Sequence, residues 1–487
     1  MDTITKHLQD KSLLKTFCLV DGKWIDSADD NHIDVINPYS DEKIASVPQL
    51  TDAQVNEAIA SANEAFKTWK NILVTDRTAL LKRWNDLILL NAEDLATIMV
   101  LEQGKPLKEA LGEIRYAASY IEFYAEEAKR IYGDILPSPF AGTRIFIIKQ
   151  PVGAVGIITP WNFPAAMLMR KVAPALASGC TCVVKPDKST PLTALVFMEL
   201  ANRAGIPKGV VNVITGNSAK IGEAFTRSNL IQKISFTGST EVGKLLMKNS
   251  SATLKKITLE LGGNAPFIVF DDANIDDAIN GLIESKFRNA GQTCVCANRV
   301  FIHKNILDEF CVKLIEKVAK LKVGNGLDNN DIGPLINQEA IGKIEHLLSD
   351  AIQKGATVLL GGKRHNLGKQ FFEPTILSGI SKEMDIFCNE IFGPVVTIAS
   401  FSTIDEVIGL ANNTRYGLAS YLYSSDMNAV WKVAEELEYG MVGVNSGVIS
   451  SALIPFGGIK ESGFGREGSK YGIEDYLNIK YIHMKDA

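Results

Sequence analysis

Apolar residues in the first third of the chain recur mainly at helical spacing. Thr51, with Gln54 three residues later, forms a capping-box signature for the start of a helix. The apolar positions that follow at intervals of three and four are Val55, Ile59, Ala62, Phe66 and Trp69, and a similar pattern returns at Leu80, Leu81, Trp84, Leu87 and Ile88. The periodicity stops in residues 133–142, and the β-branched run 144–149 predicts a strand. We therefore predict a largely helical first third followed by a short strand.

From Pro151 onwards, short apolar runs alternate with helical stretches such as 193–203. The runs are 154–158, 181–184, 210–214 and 234–236, and after Gly262 a second series follows at 265–270, 299–302, 395–400 and 441–445. Strands that are apolar throughout and separated by helices are typical of a parallel sheet buried on both faces. The pattern predicts an α/β protein with two sheet-containing lobes.

Composition narrows the class of protein. The chain has 487 residues, 46% apolar and 22% charged, so it is typical of globular proteins of about three domains and not of disordered or fibrous ones. The net charge of -5 includes no block of one sign, which argues against binding to nucleic acid or an anionic membrane. No apolar run approaches the roughly 18 residues of a membrane helix, and the N-terminus lacks the pattern of a signal or transit peptide. We expect a soluble, cytoplasmic protein.

The cysteines argue against a secreted disulfide framework, because there are seven, thinly spread. Two C-x-C pairs, Cys180 with Cys182 and Cys294 with Cys296, leave zinc binding open as an alternative. Zinc knuckles usually have C-x₂₋₄-C spacing, and no histidine is near either pair in the sequence. We expect no metal.

Two features suit a nucleotide. Residues 236–243, FTGSTEVG, lead from a strand through a glycine turn into a helix, where backbone N–H groups and the helix dipole favour a phosphate. Lys185 ends a buried strand, a position at which α/β sheets bind ligands. The alternatives are an ordinary β–α turn and a solvated lysine.

Three residues suit carbonyl chemistry. Cys294 lies in a small, polar turn and is a candidate nucleophile, although a small core cysteine is the ordinary alternative. Glu260 is embedded among apolar residues and glycines, so desolvation would raise its pKa towards that of a general base unless it turns out to solvent. Asn162 follows another strand, where its amide could donate to an oxyanion or serve only a turn.

Together these motifs resemble the NAD(P)-dependent aldehyde dehydrogenase family over essentially the whole chain. The resemblance is carried by PWNFP at 160–164, FTGSTEVG at 236–243, LELGG at 259–263, GQTC at 291–294 and EIFGPV at 390–395. It implies a Rossmann-type cofactor domain (1–133 and 150–261), an α/β catalytic domain (262–468) and a small bridging β-sheet for oligomerisation (134–149 and 469–487). Family members assemble as dimers or tetramers, so we expect a homo-oligomer.

The resemblance also implies roles for residues. Cys294 would attack the aldehyde, Asn162 and the backbone N–H of Cys294 would hold the oxyanion, and Glu260 would activate the water that hydrolyses the thioester. The residues implied to bind the cofactor are Thr159, Trp161, Lys185, Lys188, Gly238, Ser239, Gly243, Glu390 and Phe392.

Within the family, residues 286–299 and 465–476 are most similar to members that oxidise succinate semialdehyde. In those members, residues matching Arg170, Arg288 and Ser450 bind the substrate carboxylate, and guanidinium groups suit that task because they grip carboxylates bidentately. The resemblance also implies that Cys296 could form a redox-active disulfide with Cys294. The substrate would be a small aldehyde with a distal carboxylate.

One position departs from the pattern of NAD-preferring members. Where many of these have glutamate three residues after the strand-end lysine, this chain has Lys188, whose charge suits a 2′-phosphate. We therefore predict that NADP is preferred and NAD accepted, although Asp187 could weaken the preference.

Three alternatives to succinate semialdehyde oxidation stay open. The first is another aldehyde oxidised within the same family, notably glutarate semialdehyde, which is only one methylene longer than succinate semialdehyde, and a methylene gives about 1–3 kcal/mol of discrimination. A non-catalytic nucleotide-binding protein on the same fold would not need Cys294, Glu260 and Asn162 together. A thiol hydrolase without cofactor would leave Lys185 and the glycine turn unexplained.

Overall fold

The computed structural model describes residues 2–485. The helices are α1 Asp2–Thr5, α2 Asp52–Trp69, α3 Val74–Leu90, α4 Ala92–Gln103, α5 Leu107–Glu127, α6 Pro164–Ser178, α7 Pro191–Ala204, α8 Ser218–Arg227, α9 Thr240–Ser250, α10 Ile275–Phe287, α11 Leu307–Val318, α12 Gln338–Gln353, α13 Asp385–Cys388, α14 Ile404–Asn412, α15 Met427–Glu436 and α16 Ser469–Glu474. Helix α2 begins with the predicted capping box, in which Thr51 and Gln54 bond each other's backbone N–H groups.

The strands form four sheets. They are β1 Cys18–Val20, β2 Lys23–Ile25, β3 His32–Asn37, β4 Glu42–Pro48, β5 Asp134–Leu136, β6 Thr143–Pro151, β7 Ala154–Ile158, β8 Thr181–Lys185, β9 Val211–Val213, β10 Ile231–Thr237, β11 Lys256–Glu260, β12 Ala265–Val269, β13 Ala297–His303, β14 Thr357–Leu360, β15 Thr375–Ser378, β16 Val395–Phe401, β17 Ala419–Tyr423, β18 Met441–Val444, β19 Gly463–Phe464 and β20 Leu477–Lys485. The predicted strands beyond Pro151 all occur, with ends that move by a few residues at most.

The first large sheet has the order β19-β11-β10-β7-β8-β9-β1-β2. Its middle strands, from β11 to β9, are parallel, and every residue of β7 and β8 is buried. Helices cover the sheet through a core that includes Trp69 and Trp84, whose indole N–H groups donate to the carbonyls of Leu176 and Phe197. This is the doubly covered parallel sheet that the apolar runs predict.

The second large sheet has the order β14-β15-β16-β13-β12-β17-β18 and is parallel except for β14. It has its own apolar core, formed with residues such as Phe267, Phe310 and Leu347. The two sheets confirm the predicted α/β class with two lobes.

The first fifty residues differ from the prediction of a helical first third. They contain β1 and β2, which extend the first sheet, and the β3–β4 hairpin. Strands β1 and β2 have only three residues each, too few for a periodic signal, and Leu19 is held by pairing with Val213 far along the chain. Tertiary pairing therefore decides structure here, and local pattern does not.

The remaining small sheet has the order β20-β6-β5. Strand β20 pairs antiparallel with β6 over nine residue pairs, from Leu477 opposite Pro151 to Lys485 opposite Thr143. A small sheet formed from a mid-chain segment and the C-terminal strand is what the resemblance implies, and its role in oligomerisation stays a prediction. The domain boundaries stay a prediction, and residues 1, 486 and 487 lie outside the described range. No helix within residues 2–485 has the length and apolar content needed to span a membrane.

Candidate active site

The candidate residues lie where the parallel strands of the first sheet end. Glu260 is the last residue of β11, Lys185 the last of β8, and Asn162 and Gly238 follow β7 and β10. Carboxyl ends of adjacent parallel strands share one edge of the sheet, which is the usual ligand-binding edge of open α/β folds. Cys294 reaches this edge from the loop before β13 of the other sheet.

Two cavities meet at Cys294. The first, of about 310 Å³ and called here the substrate cavity, is lined by Glu109, Gly112, Glu113, Tyr116, Phe163, Ala166, Met167, Arg170, Arg288, Thr293, Cys294, Val295, Ser450 and Phe456. The second, of about 550 Å³ and called the cofactor cleft, shares Cys294 and Met167 with it. A group bound in one cavity can therefore reach the same sulfur as a group bound in the other.

The loop that carries Cys294 is held in an unusual conformation. Asn289 and Ala290 have φ of 52° and 56°, in the left-handed region that residues with a Cβ rarely adopt. Gly263 packs directly against the Cys294 carbonyl, where any side chain would collide. Burial raises the pKa of the Cys294 thiol to about 12, with Glu390 adding to the rise and Arg170 opposing it. The protonated thiol is therefore the favoured form of Cys294 at neutral pH.

Asn162 is held in place by hydrogen bonds of both its side-chain amide and its backbone carbonyl. Its side-chain Nδ2 donates to the carbonyl of Gln292 at 3.0 Å. Its backbone carbonyl accepts from Lys105 Nζ at 2.8 Å and from Asn289 Nδ2 at 2.9 Å. An amide nitrogen has two hydrogens, and the second makes no hydrogen bond to any residue in the described range. That N–H is available to an oxyanion beside Cys294.

Glu260 is buried without a hydrogen-bond partner for either oxygen in the described part of the chain. Burial raises the pKa of its carboxyl well above the ordinary value, and the nearby Glu467 raises it further. Glu467 pairs with Lys171 and, at 3.0 Å, with Arg170 Nε. Although burial alone would raise the pKa of Glu467, these two cations lower it. The two neighbouring carboxyl groups are thus shifted in opposite directions, Glu260 towards its protonated form and Glu467 towards its ionised form.

The three residues predicted to bind a carboxylate all line the substrate cavity. Arg170 is buried, lies 3.6 Å from the centre of the Phe456 ring and forms an ion pair with Glu467, although its Nε and Nη2 make no hydrogen bond to the described residues. Arg288 lies 5.2 Å from the centre of the Phe163 ring, and its Nε has no hydrogen-bond partner among the described residues. Of the two guanidinium groups, Arg170 is thus paired with a carboxylate of the protein, whereas Arg288 forms no ion pair with the described residues.

The cofactor cleft contains most of the predicted cofactor residues: Trp161, Gly238, Ser239, Glu390 and Phe392. Trp161 and Phe392 meet edge to face, with ring centres 5.6 Å apart. Burial raises the pKa of Glu390 to about 7, and its Oε1 accepts from the backbone N–H of Gly263 at 3.2 Å.

The phosphate end of this cleft is the start of α9. Ser239 caps the helix by accepting from the Val242 N–H at 3.3 Å, and Gly238 packs against the Phe236 ring so closely that a Cβ would collide. Uncapped N–H groups at a helix start suit a phosphate, so these residues fit a dinucleotide.

Four predicted cofactor residues lie outside the lining of the cleft. Thr159 donates its backbone N–H to the carbonyl of Lys185, so the two lie side by side at the ends of β7 and β8. Gly243 packs against Leu261, and Lys188 is exposed. The Lys185 side chain is buried, yet its ammonium makes no hydrogen bond to a residue between 2 and 485. Such a group fits a bound ribose or phosphate.

Sequence reasoning missed a group of charged residues on and before α5. Lys105 is buried and pairs with Glu113 at 2.5 Å as well as holding the Asn162 carbonyl. Glu113 also accepts the backbone N–H groups of Ala165 and Ala166, at the start of α6. Their only sequence signal is charge on a predicted helix, and charge there usually marks a solvated face.

Cys296 is buried and free, and its Sγ accepts from Lys286 Nζ at 3.4 Å. The disulfide with Cys294 stays a prediction. Residues 2–485 contain no group of three or more histidine, cysteine or acidic side chains placed to hold a metal ion.

Comparison with known proteins matches residues 24–482 to the aldehyde dehydrogenase family. A mitochondrial succinate-semialdehyde dehydrogenase from Oryza sativa subsp. japonica is 53% identical, covering 97% of this chain and 90% of the relative. A glutarate-semialdehyde dehydrogenase from Pseudomonas aeruginosa is 52% identical, covering 98% of this chain and 99% of the relative. The crystal structure of an NADP dependent enzyme from E. coli superposes with a TM-score of 0.98 at 50% identity, covering 98% of this chain and all of the other.

Proposed function

Because the chain belongs to the aldehyde dehydrogenase family, we propose that it oxidises succinate semialdehyde to succinate, with NADP preferred over NAD. The observation that carries this proposal is the substrate cavity, in which Arg288, Arg170 and Ser450 share one space with Cys294. A carboxylate held by guanidinium groups there would leave the aldehyde end of a short chain beside the sulfur.

In this mechanism the Cys294 thiol loses its proton to solvent, and the resulting thiolate, which Arg170 and Arg288 favour against the effect of burial, attacks the aldehyde carbon. A C–S bond forms, and the electron pair of the carbonyl moves to its oxygen. The free N–H of Asn162 and the backbone N–H of Cys294 donate to that oxyanion.

Trp161, Ser239 and Glu390 in the cofactor cleft would hold a nicotinamide nucleotide, which would supply the acceptor for the hydride that the adduct loses and would leave a thioester on Cys294. Glu260, once ionised, takes a proton from the water that attacks the thioester. The C–S bond breaks, the acid leaves, and the proton that Glu260 took from water passes to the Cys294 sulfur, which restores the ionised Glu260 and the thiol.

The test is the rate of reduced-nicotinamide formation with succinate semialdehyde, glutarate semialdehyde and butanal. We expect kcat/KM to be highest for succinate semialdehyde. A higher value for glutarate semialdehyde would favour that second candidate, which the 52% identical relative from Pseudomonas aeruginosa supports. Equal rates with butanal and succinate semialdehyde would refute the proposed carboxylate-binding role of the substrate cavity. No turnover with any aldehyde would overturn the proposed function as a whole.

The preference for NADP is supported by the environment of residues 185–188. The Asp187 carboxylate accepts the backbone N–H of Ser189 at 2.9 Å and so is engaged in its own turn. Lys188 is exposed next to Asp187. The buried Lys185 lies close enough to both residues that Asp187 raises the pKa of its ammonium group and Lys188 lowers it. A 2′-phosphate placed there would meet two ammonium groups. An equal or higher kcat/KM with NAD would contradict this preference.

We also infer that the protein is a homo-oligomer, either a dimer or a tetramer. The small sheet exposes apolar side chains that a monomer would leave in water, among them Ile135 at 75% and Ile479 at 72% exposure. Light scattering at several concentrations tests this inference, and a monomer throughout would refute it. Location in the cytoplasm stays a prediction from the sequence.

A further inference from the structure

The substrate cavity contains a carboxyl group that the proposed reaction does not use. Besides Arg170 and Arg288, its lining includes Glu109 and Glu113. Glu113 is already neutralised by Lys105 and accepts two backbone N–H groups. Glu109 forms no ion pair with any residue between 2 and 485, so its charge is the one that an anionic substrate would meet.

Glu109 is held by a single hydrogen bond. One oxygen, Oε2, accepts the backbone N–H of Asn289 at 2.7 Å, next to Arg288. Its other oxygen makes no hydrogen bond within the described part of the chain. The groups that face it are Lys105 before α5, Glu113 one turn along α5, and Arg288 from the loop after α10. Glu109 and Arg288 therefore occupy the same part of the cavity with opposite formal charges.

We propose that Glu109 is a specificity-determining residue that admits a carboxylated aldehyde only while its own carboxyl group is protonated. The protonated group can donate its O–H to the substrate carboxylate beside Arg288. The ionised group instead offsets the charge of Arg288 and repels the substrate carboxylate. This inference rests on the proposed function and adds a pH-dependent control of substrate choice to it.

The Glu109 carboxyl group changes its protonation state at a pH close to neutral. Burial raises the pKa of Glu109 to about 7, with Lys105, the Asn289 N–H and Arg288 opposing the rise. The binding-competent form is the protonated one, so affinity for the anionic aldehyde is full below this pKa and declines above it. If only that form binds, the apparent affinity falls about ten-fold between pH 6 and pH 8.

The test is the ratio of kcat/KM for succinate semialdehyde to kcat/KM for butanal, measured from pH 6 to pH 8. Ionisations shared by both reactions, such as those of Cys294 and Glu260, cancel in this ratio. We expect the ratio to fall about ten-fold in the unaltered enzyme. Glu109→Gln keeps the acceptor for the Asn289 N–H and gains a permanent donor, so its ratio should stay at the low-pH value throughout.

Glu122→Gln is the matched control, because it removes an exposed carboxylate from the same helix. It should behave like the unaltered enzyme. A pH dependence that survives unchanged in Glu109→Gln, or a ratio that is flat in the unaltered enzyme, would overturn the inference while leaving the proposed function intact. No turnover of succinate semialdehyde, with butanal still oxidised, would instead overturn the proposed function.

Succinate inhibition gives a second measurement that needs no variant. As a competitive inhibitor of the unaltered enzyme with butanal as substrate, succinate should bind about ten-fold more weakly at pH 8 than at pH 6. An inhibition constant that does not change over this range would refute the role of Glu109 even if the Gln variant does not fold.

Discussion

Replacing Arg288 by alanine tests the carboxylate site most simply. The guanidinium lines the substrate cavity, and its Nε makes no hydrogen bond within the described residues, so the change removes contacts to substrate with little loss to the protein. A hydrogen bond to a charged group contributes about 1.5–3 kcal/mol. At about 1.4 kcal/mol per factor of ten, the loss corresponds to about 10- to 150-fold in kcat/KM for succinate semialdehyde.

The assay compares kcat/KM for succinate semialdehyde and butanal in each variant. Arg288→Ala should leave kcat/KM for butanal nearly unchanged. Arg288→Lys keeps the charge but loses the planar fork, so its kcat/KM for succinate semialdehyde should lie between those of Arg288→Ala and the unaltered enzyme. Arg227→Ala is the matched control, because the Arg227 side chain is 79% exposed on α8 and, among residues 2–485, forms an ion pair with Glu223 alone. It should match the unaltered enzyme with both substrates.

Equal losses for both aldehydes in Arg288→Ala would refute the reasoning, since a carboxylate contact cannot matter to butanal. The Phe163 ring near Arg288 contributes about 0.5–1 kcal/mol to stability at most through its cation–π contact. Thermal unfolding should therefore change by only a few degrees, and a large loss of stability would point to a structural role instead.

Three further predictions concern the cofactor, the nucleophile and the oxyanion. Lys188→Glu should reverse the preference from NADP to NAD in kcat/KM, and an unchanged preference would mean that Lys188 does not meet the 2′-phosphate. Since the pKa of Cys294 is about 12 in the free enzyme, its alkylation by iodoacetamide should accelerate about ten-fold per pH unit from 7 to 9, and a plateau below pH 8 would contradict this. Asn162→Ala should lower kcat about 10²- to 10³-fold with little change in nucleotide affinity measured by fluorescence titration, whereas unaltered kcat would exclude Asn162 from the oxyanion site.

The parts of the fold that local pattern encodes could be predicted from the sequence. Strand β7 begins and ends at the residues that its apolar run marks, and the capping box of Thr51 starts α2 as expected. Strand β1 could not be found in this way. It is short, and it exists because Leu19 pairs with Val213, a contact between residues far apart in the sequence.

The candidate site shows the same division. Cys294, Glu260 and Asn162 could be singled out because a reactive side chain among glycines or after a strand is visible in a linear pattern. The Lys105–Glu113 pair could not, because its significance depends on burial against the Asn162 carbonyl. Linear sequence does not reveal which charges on a helix face inwards when both faces carry them.

The ion pair between Arg170 and Glu467 could not be predicted from the sequence either. As a sequence feature Arg170 suits a substrate carboxylate, but the fold brings Glu467, almost three hundred residues later, to its Nε. One arginine thus lies between the substrate cavity and the carboxyl groups of Glu467 and Glu260, and its charge lowers the pKa of both.

The most direct test of the proposed reaction is to trap its covalent intermediate with Glu260→Gln. This variant keeps the shape of the side chain but cannot accept a proton from water, so hydrolysis of the thioester should become the slow step. We predict a burst of one reduced nucleotide per subunit with succinate semialdehyde and NADP, and mass spectrometry should find a succinyl group on Cys294. Rapid steady turnover without a burst, or an unmodified Cys294 in the quenched enzyme, would contradict the covalent mechanism.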